Sequence, residues 1–169
     1  SLLKNVAIPS SINVIKTNVF NGCSSLNKVL IPYPVMSIEE NAFEKCESLL
    51  EVSIPSSVTI IKKSAFNGCS SLLKINIPSS VTTIEEQAFI GCKSLVEVII
   101  CSSETKIGSS CFYNCSSLKK ISLPSKIREI DTHVFEGCSM LKRIIIPSSV
   151  KLINQCSFKG CLLLKEILF

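Results

Sequence analysis

The amino-acid sequence predicts a repeat solenoid, and three observations lead to this fold class. Phe, Cys and Leu each return every 23 residues along the chain, without an insertion or deletion. The three series are Phe20, Phe43, Phe66, Phe89, Phe112, Phe135 and Phe158; Cys23, Cys46, Cys69, Cys92, Cys115, Cys138 and Cys161; and Leu26, Leu49, Leu72, Leu95, Leu118, Leu141 and Leu164. Pro keeps the same interval with one exception. Because one such unit is too short to bury its own apolar side chains, successive units must stack on one another.

The composition allows a large core but supplies few catalytic side chains. Of the 169 residues, 46% are hydrophobic, Trp is absent, and His133 is the single His. We therefore predict no catalytic residue, no cofactor and no metal site. No apolar run approaches the roughly 18 residues that a membrane helix needs, and no signal peptide opens the chain.

Within one unit, the strand is predicted from alternation. Ile75 and Ile77 alternate with Lys74 and Asn76, which is the pattern of a short strand with one buried face. Pro78 has no N–H group and should end the strand pairing. The following residues should turn a corner and form a second brief extended piece. The "EEQAF" that comes next predicts a single helical turn.

The full pattern, L-x-x-[VI]-x-I-P-S-S-V-x-x-I-x-x-x-A-F-x-x-C, resembles the BspA-like, Treponema-type leucine-rich repeat. The resemblance implies one leucine-rich-repeat solenoid over residues 1–169: about seven right-handed coils of 23 residues, with short parallel β-strands and single helical turns. Inward Val81 and Ile84 fit this pattern. The departures concentrate in one coil, so its turn is the part of the fold that the pattern defines least; the substitutions are Cys101 for Pro, Glu104 for Val, Cys111 for Ala and Asn114 for Gly.

The seven in-register Cys residues predict an inward column of free thiols. Side chains at one repeat position point the same way, which is poor geometry for a disulfide between neighbours, and seven thiols cannot all pair. Zn²⁺ prefers four converging ligands, whereas a column offers its sulfurs in a line. A buried free Cys packs as a small apolar residue. We therefore interpret the column as core.

Three Cys residues lie outside that register: Cys101, Cys111 and Cys156. Cys111 replaces a small residue before Phe and should be buried. Cys156 occupies the same repeat position as His133, one coil later. An imidazole beside a thiol can activate it as a nucleophile, but no oriented carboxylate is evident to complete a catalytic set. Two unrelated surface side chains remain the simpler interpretation, and the reactivity of Cys156 stays open.

Outward charges predict the candidate binding surface. One outward strand position alternates in sign along most of the chain, so that each charge faces an opposite neighbour. Residues 101–169 hold ten Lys and Arg against five Asp and Glu, so the net charge of +5 lies in the last coils. The predicted partner-binding residues on the strand face are Lys119, Lys120, Lys142, Arg143, Lys165, Ile99 and Ile145. Nucleic acid is not expected as a partner, because no stacking aromatics lie among these charges.

These features favour a non-catalytic module that binds a protein or glycan ligand. The resemblance implies a cell-surface adhesion protein; an intracellular scaffold or regulatory domain attached to another module is the alternative, and free thiols would be tolerated there. Asn114-Cys115-Ser116 fits the glycosylation acceptor pattern, if Asn114 is accessible. Ser1 begins in mid-pattern, so we expect a segment of a longer protein. Apolar end coils predict end-to-end self-association of the isolated segment.

Overall fold

The computed structural model describes residues 2–169, which form about seven stacked coils. Each coil contributes a strand of three or four residues and a second strand of two residues. The longer strands are β1 (Asn5–Ala7), β3 (Lys28–Leu30), β5 (Glu51–Ser53), β7 (Lys74–Ile77), β9 (Glu97–Ile100), β11 (Lys120–Ser122), β13 (Arg143–Ile145) and β15 (Glu166–Leu168). The shorter strands are β2 (Val14–Ile15), β4 (Ser37–Ile38), β6 (Ile60–Ile61), β8 (Thr83–Ile84), β10 (Lys106–Ile107), β12 (Glu129–Ile130) and β14 (Leu152–Ile153).

Every strand pair in the described residues is parallel, and its register equals one repeat. Lys28 lies opposite Glu51, and Lys74 lies opposite Glu97. The odd-numbered strands form three ladders, β1-β3-β5, β7-β9-β11 and β13-β15. The even-numbered strands form two ladders, β2 to β10 and β12-β14. Equivalent residues of successive coils therefore lie side by side, and the predicted solenoid and its parallel strands are confirmed.

The core consists of columns of identical side chains. The rings of Phe66 and Phe89 stack with centroids 5.2 Å apart, and all seven repeat Phe rings continue this stack. In β7, Ile75 and Ile77 are buried while Lys74 and Asn76 are exposed, as predicted. Stacked aromatic and aliphatic columns bury the apolar side of each coil against its neighbours.

The seven-thiol column is also confirmed as core, and it has a polar role that the sequence analysis missed. The five central thiols are fully buried, and all ten Cys residues are free. The Cys69 thiol donates a hydrogen bond to the backbone carbonyl of Phe43 at 3.2 Å. That carbonyl already accepts the N–H of Cys46 at 3.2 Å, so the thiol occupies its second acceptor direction. A methyl or isopropyl group at this position would offer no donor.

The predicted single helical turn is wrong, because no helix forms in residues 2–169. Alternate N–H groups bond to different coils: Glu44 donates to the carbonyl of Asn41, three residues back, whereas Lys45 donates to Asn67 of the next coil at 2.7 Å. Asn41 and Lys45 also have φ near +55°, which an α-helix does not permit. The segment is a series of turns hydrogen-bonded between coils. The described residues accordingly include no helix that could span a bilayer.

The coil with the four departures is irregular. In regular coils a Ser hydroxyl bonds to the carbonyl of the inward Val in the preceding coil, as Ser80 does to Val58 at 2.7 Å. In the irregular coil, Glu104 is exposed and Thr105 is buried in its place, with its hydroxyl 2.6 Å from the Val81 carbonyl. Cys111 is buried, as predicted. The register of β10 is recovered directly after this shift.

Candidate functional site

The strand face, defined as the exposed side of the odd-numbered strands, carries the predicted ladder of alternating charges. Most neighbouring coils from β3 onward present opposite charges at the first position of these strands; the exception is Lys120 beside Arg143. The resulting ion pairs are Lys28–Glu51 at 2.9 Å, Lys74–Glu97 at 3.2 Å, Lys120–Glu97 at 3.1 Å and Arg143–Glu166 at 3.2 Å. Two predicted partner-binding residues, Lys120 and Arg143, therefore already have carboxylate partners on the molecule.

Three predicted basic residues remain without an ion pair among residues 2–169: Lys119, Lys142 and Lys165. They are exposed and lie at one repeat position, immediately before β11, β13 and β15. The N–H of Lys165 donates to the carbonyl of Lys142 at 3.0 Å, so the two residues lie on adjacent coils. Lys119 holds the same repeat position one coil before Lys142, so the three residues form a row along the stack. We call these three residues the lysine row.

Exposed apolar side chains lie on the same face. Ile145 is 64% exposed and Ile99 is 41% exposed, and both occupy the central outward position of their strands. Leu50 and Leu73 are also exposed, at the repeat position that the lysine row occupies further along. Sequence reasoning missed these two residues. Their signal was available, because each directly follows the inward Leu of its repeat.

The second face, defined as the exposed side of the even-numbered strands, contains a groove of about 880 Å³ that the sequence analysis did not predict. It lies between β8, β10 and β12, where the even-strand ladder is interrupted. Its lining mixes charges, including Glu85, Glu104, Lys126 and Arg128. Lys126 and Glu104 pair at 2.7 Å, so part of this charge is satisfied internally. In the sequence, the only indication of this groove was that the irregular coil departs from the repeat pattern.

Gly108 lines this groove and has a steric reason to be Gly. A Cβ atom at this position would lie 2.6 Å from the backbone nitrogen of Glu86 in the preceding coil. The same repeat position holds Lys62 and Glu85 in earlier coils, which have side chains there. The close contact between Gly108 and the backbone of the preceding coil is therefore particular to the irregular coil. The groove therefore depends on the local backbone of the irregular coil.

The structure brings His133 and Cys156 together on adjacent coils, as their common repeat position predicted. The expectation that no carboxylate orients His133 is wrong, because Nδ1 of His133 is hydrogen-bonded to Oε2 of Glu136. Donor atoms of His133, Glu136 and Cys156 all lie within 4.8 Å of one another. Glu136 is buried, and its second oxygen pairs with Lys159 Nζ at 3.1 Å. Hydrogen bonds from His133 and Lys159 hold the pKa of the Glu136 carboxyl below its ordinary value.

Asn114 is exposed although Cys115 is fully buried. A Cβ atom on Gly137 would overlap with Asn114 Oδ1, so the Asn side chain extends over the glycine of the next coil. The accessibility that glycosylation requires is present, and modification of Asn114 remains a prediction.

The comparison with known families agrees with the repeat geometry. The sequence profile of the BspA type leucine rich repeat region matches six copies, over residues 1–119 and 60–169. The chain belongs to this family. No curated protein sequence matches it significantly.

Solved structures of leucine-rich repeat proteins share the fold. A leucine-rich repeat protein from Bacteroides ovatus is 32% identical with a TM-score of 0.90; the match covers 98% of this chain and 45% of that one. A leucine rich repeat protein from T. pallidum is 32% identical with a TM-score of 0.87, over 95% of this chain and 78% of that one. A leucine-rich repeat protein from Eubacterium ventriosum is 23% identical with a TM-score of 0.67; the match covers 85% of this chain and 55% of that one. At this identity the likeness shows the fold alone. The chain thus spans less than half of the Bacteroides protein.

Proposed function

We propose that this chain is a non-catalytic binding module that recognises a protein or glycan ligand through its strand face. The observation that carries the proposal is the lysine row of Lys119, Lys142 and Lys165, three unpaired cations in a line beside exposed Ile145 and Leu168. Leucine-rich-repeat proteins of this family are generally non-enzymatic and suggest repeat-based binding. Solenoids present extended surfaces of this kind to their partners.

An acidic protein surface fits the strand face better than a purely ionic ligand does. The apolar side chains of Ile99 and Ile145 lie on the same side as the lysine row, and apolar contact adds affinity that a sulfated sugar would not use. The ion pairs at Lys120 and Arg143 leave the lysine row as the available positive charge. Adhesion to other cells or matrix proteins follows from the family resemblance and is the broader role we propose.

The proposal is tested with matched charge reversals. The 169-residue chain is applied to a panel of immobilised matrix proteins and sulfated glycans, beside a variant carrying Lys119→Glu, Lys142→Glu and Lys165→Glu. The control variant carries Lys16→Glu, Lys93→Glu and Lys151→Glu, which changes the net charge equally at exposed positions outside the strand face. The first variant should lose binding to the selected ligand while the control retains it, and binding should weaken with added salt.

Two results would contradict the proposal. Equal loss in both variants would mean that net charge, and not the strand face, governs binding. Loss in the control variant alone would move the contact to another surface.

An intracellular scaffold or regulatory domain is the second candidate. Ten free thiols are compatible with a reducing compartment. Labelling of intact cells with a membrane-impermeant reagent distinguishes the two roles, because a surface adhesin is labelled and an internal scaffold is not.

A further inference from the structure

The turn segments of the last two complete coils bring together reactive side chains that have no part in the proposed binding function. His133 and Cys156 lie at the same repeat position, and Glu136 and Lys159 share the position three residues later. Two coils thus bring four functional side chains into one block. The same positions near the start of the chain hold Asn18, Asn21, Asn41 and Glu44, where the Asn21 amide donates to Asn18 Oδ1 at 3.1 Å and to Glu44 Oε2 at 3.0 Å.

The backbone holds this block in place. The N–H of His133 donates to the carbonyl of Gln155 at 3.2 Å, and the N–H of Gly137 donates to Lys159 at 2.8 Å. His133 and Cys156 have φ values of 59° and 58°, which match those at the same position in earlier coils. The backbone of both coils is therefore held in place by hydrogen bonds. Binding of a common ligand would restrict only the side chains, so the entropic cost of binding should be small.

We propose that His133, Glu136 and Cys156 form a binding site for a divalent transition metal, with Zn²⁺ the best match to the donor set. Imidazole nitrogen, thiolate sulfur and carboxylate oxygen are its usual protein ligands, at about 2.0–2.3 Å from the metal. Tetrahedral geometry at those bond lengths separates ligand atoms by roughly 3.3–3.8 Å. The three donors already lie within 4.8 Å of one another, so small side-chain rotations would bring them to one ion.

Three protein ligands leave one tetrahedral position for water or a ligand from solution. The His133 side chain is 34% exposed, so the block opens to solvent on that side. The site is separate from the strand face, because these residues lie in the turns after β12 and β14 and not in the odd-numbered strands.

Lys159 competes with the metal. Its Nζ atom lies 3.1 Å from Glu136 Oε1, but the side chain is 67% exposed and can move into solvent. A bound dication would replace the ammonium group as the partner of the carboxylate. Removal of the Lys159 charge by Lys159→Gln should therefore tighten metal binding, whereas Lys142→Gln on the strand face should leave it unchanged.

The test uses Co²⁺ as a spectroscopic substitute for Zn²⁺, with the 169-residue chain kept reduced by a phosphine. Binding through Cys156 should produce a thiolate-to-cobalt charge-transfer absorption at one equivalent, which added Zn²⁺ removes. The variants His133→Asn, Glu136→Asn and Cys156→Ser use residues that this chain already has at the same repeat positions, in Asn41, Asn67 and Ser64, so each should fold. Circular dichroism verifies that they do.

Cys156→Ser should abolish the charge-transfer absorption, and the other two variants should weaken Co²⁺ binding by at least about tenfold. Cys101→Ser removes an exposed thiol elsewhere and should have no effect. The proposal is overturned if the wild-type chain shows no thiolate absorption at millimolar Co²⁺. It is equally overturned if Cys156→Ser retains the absorption, or if Cys101→Ser loses it.

Discussion

At the residue scale, each coil depends on two residues with left-handed backbone conformation. The first position is never Gly, and its φ values lie between 53° and 59° in Asn18, Asn41, Ser64, Gln87, Ser110, His133 and Cys156. The second position is Gly in five coils and a non-glycine residue in two. Non-glycine residues adopt this conformation at a cost of roughly 1–2 kcal/mol. The hydrogen bonds between coils offset that cost.

Lys45→Gly should stabilise the protein. Lys45 has φ of 56° at a position where Gly68 has φ of 71°, so glycine removes a backbone penalty there. We expect a gain of about 0.5–1 kcal/mol in the free energy of unfolding in urea, since the added freedom of the unfolded chain offsets part of the benefit. The reverse change, Gly68→Ala, should destabilise the protein by a similar amount. A Lys45→Gly variant that is less stable than the wild type would contradict this account.

Cys92→Ala should destabilise the protein by roughly 1–3 kcal/mol. The Cys92 sulfur is fully buried and donates to the Phe66 carbonyl at 3.3 Å, so the change removes both packing and a hydrogen bond. Denaturant unfolding measures the loss. Cys101→Ala is the control, because Cys101 is exposed and should change stability by less than about 0.5 kcal/mol. Equal stabilities of the two variants would show that the column contributes no more than a surface thiol.

At the element scale, the fixed register of the parallel strands places charged residues of successive coils side by side, so that they form ladders of ion pairs. Glu97 in β9 lies between Lys120 of β11 and Lys74 of β7. Their hydrogen bonds, led by that of Lys120, lower the pKa of the Glu97 carboxyl. A slip of one whole coil would bring like charges together at most of these positions, so the ladder also favours the native pairing.

The Glu97 ladder predicts a dependence of stability on pH. Because its folded-state pKa is depressed, the stability that Glu97 contributes is present above the ordinary Glu pKa of about 4.3 and is lost as the pH falls through the lower folded value. The difference in unfolding free energy between the wild type and Glu97→Gln should therefore shrink as the pH falls from about 5 to 3. A constant Glu97 difference would exclude the linkage.

At the scale of the whole molecule, the buried thiols make the solenoid sensitive to alkali. Burial raises the pKa of Cys46 and of Cys92 to about 12, and it raises the thiol pKa values of Cys69, Cys111, Cys115 and Cys138 as well. In the unfolded chain these thiols ionise near pH 8.5. Folding must keep them protonated above that pH.

Stability should therefore decline steeply above about pH 9. The stability linked to each raised thiol is complete below the unfolded pKa and decreases by roughly 1.4 kcal/mol per pH unit until the folded pKa is reached. Guanidinium unfolding between pH 8 and 11 measures the slope. Cys92→Ala removes one thiol with a raised pKa, so it should make the decline of stability with pH less steep by the contribution of one thiol. A flat profile would mean that the thiols ionise without unfolding.

The exposed apolar ends of the stack predict self-association of the isolated chain. Leu2 is 93% exposed at one end, and Leu162 and Phe169 are 80% and 85% exposed at the other. Light scattering should give a mass that rises with protein concentration, and Leu162→Glu with Phe169→Glu should reduce the rise. A monomer at all concentrations would contradict this prediction.

The repeat spacing was sufficient to predict the solenoid, the inward Phe and Cys columns and the alternating charges, because residues at equal intervals must lie side by side once coils stack. It could not predict the backbone between the strands. Asn41 and Lys45 stand in a segment whose sequence predicted a helical turn, but both have left-handed conformation and donate hydrogen bonds to the next coil. The groove at Gly108 and the approach of Glu136 to His133 likewise depend on how neighbouring coils fit together. These distances are set by packing between coils, which the pattern of a single repeat does not contain.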